Sequence, residues 1–326
     1  MSFRLAPFLA VALVALRAAP ARGEPMDLDL VRLGAPDASV WTALNQTAVA
    51  IDPATAQLLA SDAKKRFAIL SSEMALALSG PILDPASTTG HAGFDFAFEG
   101  AYQPVHSGAV GVSVPQLGFS ATPWPTVSGA PGSVTTTGIH VRKALPWSFE
   151  FGGRLTYLNK SNYFAAQGEA KWALNEGFEN VPDLAVRVAY TRLFGQEYWN
   201  LGSTDVDFMV SKRWGVSGVT SFTPYVAARF TFVSASSDAM DFGPARSTGS
   251  TTPVQATWAS FPSLRVGLYR TTLGVRMTAS TVSMALEATY FGGQCYSGTQ
   301  NPGPGDYPDF TVASALSAAV KLGWEF

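Results

Sequence analysis

The residues that could perform chemistry are few and widely spaced. The chain of 326 residues contains three histidines, His91, His106 and His140, and one cysteine, Cys295. A histidine on a strand can serve as base for a serine two positions away, because that spacing puts both side chains on one face. His106 and Ser107 are adjacent instead, and neither other histidine has a serine at that spacing. We therefore expect no nucleophilic catalysis.

Acidic pairs and metal-ligand patterns give no stronger indication of a reactive site. Asp205 and Asp207 share a strand face, but no histidine is near them in the sequence. The histidines and the loop residue Cys295 do not match the spacing of metal ligands. Asp238 and Asp241, in "DAMDFGPARSTGSTTP", favour a surface loop over a weak calcium site. We expect no catalytic residue, metal or cofactor.

The elements that hold these residues are predicted to be strands, because hydrophobicity alternates with period two from residue 93 onward. In "GFDFAFEGAY", for example, aromatic residues face one side and Asp95 and Glu99 face the other. About ten strands are predicted in this way. They cover 93–102, 135–143, 147–157, 162–174, Leu184–Phe194, Val206–Trp214, Pro224–Val233, Leu264–Met277, Val282–Phe291 and Phe310–Phe326.

One predicted strand leaves the strand number open. The apolar phase of Leu264–Met277 switches from Leu264, Val266 and Leu268 to Leu273, Val275 and Met277, which indicates a bulge or a hairpin turn. A hairpin would add a strand and break the even number, unless 104–133 contains another. Ten strands is the prediction, and twelve is the alternative.

The first 92 residues differ from the rest. Residues 1–23 have a basic Arg4, an apolar run and small residues before Glu24, a pattern typical of a cleaved secretory signal peptide. Residues 24–92 contain a predicted helix that begins at Pro53 and ends before Gly80. We expect a helical segment that lies in the periplasm, packs in or under the mouth of a barrel, or plugs it.

Composition narrows the class of protein. Charged residues make up 14% of the chain and the formal net charge is −2, with no basic patch, so nucleic acid is not an expected partner. The sequence also contains 21 Phe, 10 Tyr and 8 Trp. Low charge and many aromatic residues are typical of strands that contact lipid on one face. Aromatic belts at the membrane interfaces are expected to include Trp147, Tyr157, Tyr163, Trp172, Trp214 and Trp324.

The closing stretch, "SAAVKLGWEF", carries a resemblance to a known family. Its apolar residues continue by twos through Leu322 and Trp324 to a terminal Phe326, which resembles the carboxy-terminal assembly signal of Gram-negative outer-membrane β-barrels. The resemblance implies an antiparallel transmembrane β-barrel over residues 93–326, located in the outer membrane. It also implies that lipid surrounds the barrel and that the barrel-assembly machinery recognises its last strand. Long loops are then expected outside the cell and short turns in the periplasm.

The inner face of such a barrel would hold the charged residues that alternate with the lipid-facing ones. Both signs are present in similar number, which favours a narrow interior with paired charges over an open pore. The predicted lumen-facing residues are Glu150, Arg154, Glu169, Lys171, Arg187, Asp205, Asp207, Arg213, Arg229, Arg265, Glu287 and Lys321.

Two functions fit this description. The first is a non-enzymatic barrel that anchors, or forms part of, a cell-envelope or surface complex and has periplasmic or surface protein partners. The alternative is a channel or transporter for small polar or amphipathic solutes, with the segment before the barrel as its plug. Outer-membrane phospholipases and deacylases belong to the same class, but the spacing of His and Ser described above does not match theirs. Proteases of this class need acidic pairs together with a histidine, and Asp205 and Asp207 have no histidine in their loop.

Overall fold

A computed structural model describes residues 24–44, 51–112, 114, 118–217, 220–243, 257–297 and 307–326. The predicted signal peptide at 1–23 and residues 244–253 of the acidic loop lie outside the described residues.

Ten long antiparallel strands form the main sheet. They are β1 (Phe94–Pro104), β2 (Ser133–Leu145), β3 (Phe149–Leu158), β4 (Phe164–Asn175), β5 (Asp183–Phe194), β6 (Trp199–Ser211), β7 (Thr220–Ser237), β8 (Leu264–Ala279), β9 (Val282–Phe291) and β10 (Ala315–Glu325). Shorter strands lie at the two rims of the barrel: Trp214–Ser217, Met240–Asp241, Trp258–Ala259, Gln294–Tyr296 and Phe310–Val312.

The sheet closes on itself. Each strand pairs with its sequence neighbour, and β10 pairs with β1 in a register that runs from Asp95 opposite Glu325 to Tyr102 opposite Ala318. Beyond β10, the backbones of Phe94 and Phe326 exchange hydrogen bonds of 2.9 and 2.8 Å. Closure leaves no free sheet edge, which is the condition for strands to span hydrocarbon. The predicted antiparallel barrel of ten strands is confirmed.

The outer face of the barrel is apolar around its circumference. Phe151, Leu155, Leu273 and Leu286 are each more than half exposed, in the middle of their strands. A soluble protein rarely leaves so continuous an apolar surface uncovered. Together with closure, this surface makes the chain a transmembrane β-barrel of the outer-membrane type.

The expected bulge or hairpin in Leu264–Met277 is wrong. Strand β8 is continuous and pairs with β7 without a register shift from Leu264 to Ala279. The apparent switch has another cause: Leu264, Val266 and Leu268 point inward, where they pack against the N-terminal helix, whereas Leu273 and Met277 point outward. The inner face therefore changes from apolar to polar along one strand, and no strand is added.

The predicted strand Phe310–Phe326 is divided in two. Phe310–Val312 pairs with Gln294–Tyr296 in a separate small sheet, and β10 begins only at Ala315. Phe310 and Val312 are consequently buried in the core at the barrel mouth, whereas Leu316 and Val320 are exposed on the outer wall. The chain leaves the barrel wall at residues 313–314. The apolar residues that alternate along Phe310–Phe326 therefore pack in a protein core before this point and lie on the outer wall after it.

The segment before the barrel contains a 3₁₀ turn at Leu30–Leu33 and two helices, α1 (Ala38–Leu44) and α2 (Pro53–Leu78). Helix α2 follows the sequence rules closely: Asp52 caps its first turn by accepting from the Ala54 and Thr55 amides at 3.0 Å, and Pro53 occupies the first turn. Gly80, with a positive φ of 67°, follows its end. In the part of the chain that the structure covers, no helix is long and apolar enough to cross a membrane.

The barrel has two unlike ends. At the turn end, where β1 begins and β10 stops, strands are joined by short connections such as 146–148 and 280–281. At the loop end the connections include 105–132, 238–263 and 292–314. Helix α2 packs inside the loop end against Trp199, Val233 and Leu264. Residues 79–88 then run through the interior to the turn end, where β1 starts, and we call them the threaded segment.

Candidate functional site in the barrel lumen

The carboxyl end of α2 is bound inside the barrel by side chains of the wall. Gln167 donates to the Ser79 carbonyl at 2.7 Å, and Arg229 donates to the Gly80 carbonyl at 2.6 Å. Arg270 reaches the Leu76 carbonyl at 3.3 Å and the Ser79 hydroxyl at 2.6 Å. The last carbonyls of a helix lack intrahelical partners and carry partial negative charge. Two guanidinium groups therefore fix this helix end by both hydrogen bonding and charge.

The backbone of the threaded segment is held next. One carboxylate, Glu287 of β9, accepts from the amides of Ile82 at 3.1 Å and Leu83 at 2.6 Å, and from the Tyr225 hydroxyl at 2.9 Å. Further along, the Ala86 amide donates to the Ser211 hydroxyl at 3.0 Å. An extended segment has no internal backbone partners, so these wall side chains satisfy groups that burial would otherwise leave unpaired.

Asp84 is the charged centre of the threaded segment. Its carboxylate binds three cations of the wall: Lys171 at 2.5 Å, Arg276 at 3.0 Å and Arg142. All four side chains are almost completely buried, with exposed fractions of 3–4%. A buried charge is tolerated only when it is paired. The single carboxylate of Asp84 is therefore surrounded by three positively charged side chains of the wall.

Further charged residues at the turn end pair with the cations that bind Asp84 and extend this cluster into a network of ion pairs. Arg142 also contacts Asp95 and, at 3.2 Å, Glu150, while Lys171 lies 3.1 Å from Glu150. Lys321 binds Asp95 at 2.5 Å, and Arg276 binds Glu325. Four cations thus meet four carboxylates, one of which, Asp84, comes from the threaded segment.

A second group of ion pairs, separate from the network around Asp84, lies closer to the middle of the lumen. His140 sits between Glu99 and Glu169, with 2.9 Å from each ring nitrogen to a carboxylate oxygen. The other pairs in this group are Arg154 with Glu99 at 2.7 Å, Arg187 with Glu169 at 2.7 Å and with Asp207 at 2.6 Å, Arg229 with Asp207 at 2.5 Å, and Arg270 with Asp205 at 3.2 Å. Side chains that could act as acid or base are therefore bound to one another.

Little space remains beside the threaded segment. Two cavities border Pro81, and the larger one also borders Gly80; they measure about 30 and 10 Å³. Volumes of this size hold about one or two water molecules. Neither of these two cavities is large enough for a solute.

At the loop end, buried charges of α2 organise the long connection 105–132. Arg66, which is 1% exposed, donates to the carbonyls of Leu33 at 3.0 Å and Val110 at 2.9 Å. Asp62 accepts from the Val112 amide at 2.8 Å. Glu73 accepts from the His106 amide at 3.0 Å and the Trp124 indole at 2.6 Å. Helix α2 thus binds the barrel lumen at its carboxyl end and also holds His106, Val110, Val112 and Trp124 of this connection.

The structure places the sequence-predicted residues as follows. Arg213 and Arg265 are exposed, so their prediction as lumen residues is wrong: Arg265 belongs to the outward phase of β8, and Arg213 lies in the connection after β6. Tyr163, expected in an aromatic belt, is buried because its hydroxyl exchanges hydrogen bonds with the Leu28 backbone at 2.8 and 3.2 Å. Buried on the inner face are Glu150, Arg154, Glu169, Lys171, Arg187, Asp205, Asp207, Arg229, Glu287 and Lys321.

Several members of the network were not predicted from the sequence. Asp84 stands alone between Leu83 and Pro85, without any periodic pattern that would assign it to the lumen. Arg270 was missed because the first half of β8 was assigned the wrong phase, whereas Arg276 alternates with Val275 and Met277 and was simply not included. Continuing the period of two from Leu264 would have placed both of them inside.

Comparisons with known proteins find distant structural similarity only. No family model and no curated relative matches the sequence. Among solved structures, the Ail attachment invasion protein of Yersinia pestis overlaps 73% of this chain and 100% of its own, at 8% identity and a TM-score of 0.25. The translocator domain of the autotransporter NalP from Neisseria meningitidis overlaps 73% and 89%, at 11% identity and 0.32. OprB of Pseudomonas putida overlaps 72% and 94%, at 9% identity and 0.19.

Proposed function

We propose that this chain is a non-enzymatic outer-membrane barrel, sealed by its own threaded segment, that anchors or forms part of a cell-envelope or surface complex. The observation that carries the proposal is the engagement of Asp84 by Arg142, Lys171 and Arg276 deep in the lumen. Removing one member of such a buried cluster leaves uncompensated charge, which costs about 3–5 kcal/mol. A segment held in this way favours a permanently filled interior over a path for solutes.

The state of the candidate catalytic residues supports a non-enzymatic role. Both ring nitrogens of His140 face carboxylates, and Asp205 and Asp207 are bound by arginines. A general base needs access to a substrate proton. These residues lie within the filled lumen, where the surrounding ion pairs occupy them.

The parts that remain available to a partner are the two rims. At the loop end, the start of α1 and the first half of α2 lie beside described residues of the connections between strands. A cleft of about 870 Å³ lies there between the first half of α2 and the residues Trp258 and Tyr307. A barrel whose wall is fixed in the membrane and whose rim is built from several packed segments suits the role of an anchor.

Planar-bilayer recordings on the purified, full-length protein test the proposal. We expect no steady single-channel current, because the threaded segment and its ion pairs fill the lumen. Steady currents that a polar solute blocks would contradict the anchor role and would establish the alternative, a channel with a movable plug. Gentle cross-linking and co-purification from envelopes should then recover a defined surface or periplasmic partner, with an unrelated barrel of the same membrane as control.

A further inference from the structure

The path of the chain has a consequence for where its first segment lies. The barrel strands begin and end at the turn end, since Phe94 and Phe326 are hydrogen bonded there. Residues 24–44 and the first half of α2 lie at the opposite, loop end, and the end of α2 and the threaded segment join the two ends through the lumen. The chain therefore passes across the membrane once more than its ten strands require.

The first residues of this segment are docked firmly at the loop end. The Met26 amide donates to the Lys160 carbonyl at 2.9 Å, in the β3–β4 connection. In the same connection Asn162 donates from its backbone and side-chain amides to the two Asp27 carboxylate oxygens at 2.8 and 2.6 Å. None of the contacts described above joins α1 or α2 to a residue at the turn end.

The lengths of the connections orient the barrel. Outer-membrane barrels have short turns on the periplasmic side and long loops outside. The turn end, with connections such as 146–148 and 280–281, has the periplasmic character, and the loop end has the external one. The loop end is also where residues 24–44 and the first half of α2 lie.

We propose that this barrel displays the start of its own chain, residues 24–44 and the first half of α2, on the outer surface of the cell, with the end of α2 and the threaded segment as the part that crosses the lumen. The inference goes beyond the anchor role, because it concerns which face of the membrane carries the segment. It holds whether or not the barrel conducts.

The proposal also orders assembly. An α-helix with its side chains is about 10–12 Å wide, and the lumen at the level of Asp84 and His140 is filled by paired side chains. Folded α2 cannot pass through that level. The part of the chain that reaches the loop end must therefore cross before the ion pairs of the lumen close around residues 79–88, and those pairs then hold the segment in place.

Cysteine labelling on intact cells tests the proposal. The probe is a maleimide carried on polyethylene glycol too large to enter diffusion pores. The native Cys295, which is exposed at the loop end, reports the orientation of the barrel. In a Cys295→Ser background, Ala54→Cys and, as a second site, Gln57→Cys report the N-terminal segment, since both positions are exposed on α2. Asn180→Cys, exposed in the β4–β5 connection at the turn end, is the matched control.

We expect native Cys295, Ala54→Cys and Gln57→Cys to react on intact cells, and Asn180→Cys to react only after the outer membrane is permeabilised. If Cys295 reacts on intact cells but both α2 sites need permeabilisation, the segment lies in the periplasm and the proposal is overturned. If Asn180→Cys reacts on intact cells and Cys295 does not, the orientation is reversed, which also overturns it. The bilayer recordings are insensitive to orientation, so failure here is distinct from failure of the anchor proposal.

Discussion

The ammonium group of Lys171 lies 2.5 Å from the Asp84 carboxylate, so a residue of the barrel wall is bound to a residue of the chain that precedes the barrel. The two residues are 87 positions apart in sequence. Lys171 also donates to the Ser87 carbonyl at 3.1 Å. One side chain thus fixes both the charge and the backbone of the threaded segment, and this contact links the fold of the barrel to the sealing of its lumen.

Replacing Asp84 by Ala should destabilise the barrel by about 3–5 kcal/mol, because Arg142, Lys171 and Arg276 lose their shared counterion inside the lumen. The loss is measured as a lower temperature for conversion of the compact, heat-modifiable form on gels. Glu179→Gln, an exposed change at the turn end, is the control and should have no effect. Equal behaviour of the two variants would show that the Asp84 cluster does not hold the segment.

A double-mutant cycle separates the Asp84–Lys171 contact from the rest of the network. Combining Asp84→Asn with Lys171→Gln should cost less than the sum of the two single changes, with a coupling of about 1–3 kcal/mol. The reason is that the second change removes a cation which the first leaves without its partner. Additive effects on the unfolding free energy would mean that the two residues do not interact.

Gly80→Ala should impair the end of α2 for two reasons. Gly80 has a φ of +67°, which costs about 1–2 kcal/mol for a residue with a Cβ. The new Cβ would also lie 2.3 Å from a guanidinium nitrogen of Arg154 and would displace that side chain from Glu99. Gly90→Ala is the matched control, since Gly90 has a φ of +88° but open space around it. Thermal stability should fall more for Gly80→Ala than for Gly90→Ala. An equal loss in the two variants would mean that only the backbone strain matters and that the contact with Arg154 does not.

Glu73 predicts a pH dependence at the loop end. Burial outweighs the hydrogen bonds from His106 and Trp124 and raises the pKa of the Glu73 carboxyl from 4.5 to about 7. The folded state therefore binds a proton more tightly than the unfolded state, and stability falls as the pH rises from 4.5 to 7. The difference is on the order of 3 kcal/mol.

Glu73→Gln keeps an oxygen that can accept from Trp124 and has no proton to gain or lose. Between pH 5 and pH 8 we expect the wild type to lose stability relative to this variant, measured by chemical unfolding at each pH. Glu179→Gln should follow the wild type. Parallel pH profiles for the wild type and Glu73→Gln would contradict the shifted pKa.

The predicted assembly signal gives a separate expectation. Phe326→Ala should lower the amount of heat-modifiable barrel in outer membranes, because the terminal aromatic residue is part of the signal formed with Leu322 and Trp324. Leu316→Ala, which removes another exposed apolar side chain from β10, should be tolerated better. Normal amounts of folded Phe326→Ala would count against a signal role.

The strands could be predicted from the sequence because each has two unlike environments, and a period of two records them directly. The predicted Val282–Phe291 coincides with β9. The same reasoning failed at Leu264–Leu268 and Phe310–Val312, where apolar residues face a protein core at the mouth instead of lipid. Hydrophobicity alone does not distinguish these two surroundings.

The threaded segment could not be predicted for a different reason. Residues 79–88 have no internal periodicity, and the contacts that fix the middle of the segment come from distant strands, such as Glu287 at the Ile82 and Leu83 amides. The charged residues of the wall could be recognised in the sequence, because they alternate with apolar residues along each strand. Their partner, Asp84, became apparent only when the path of the chain brought it into the lumen.

A disulfide trap tests the central claim, that residues 79–88 occupy the lumen. The Ala86 amide lies 3.0 Å from the Ser211 hydroxyl, so the two backbones are close enough for a disulfide. In a Cys295→Ser background, Ala86→Cys with Ser211→Cys should form an internal cross-link in the folded barrel, seen by mass spectrometry of linked peptides. The pair Ala86→Cys with Ser203→Cys, on the inner face of β6 but eight residues nearer the loop end, should not. Absence of the first cross-link, or equal formation of both, would contradict a threaded and sealed barrel.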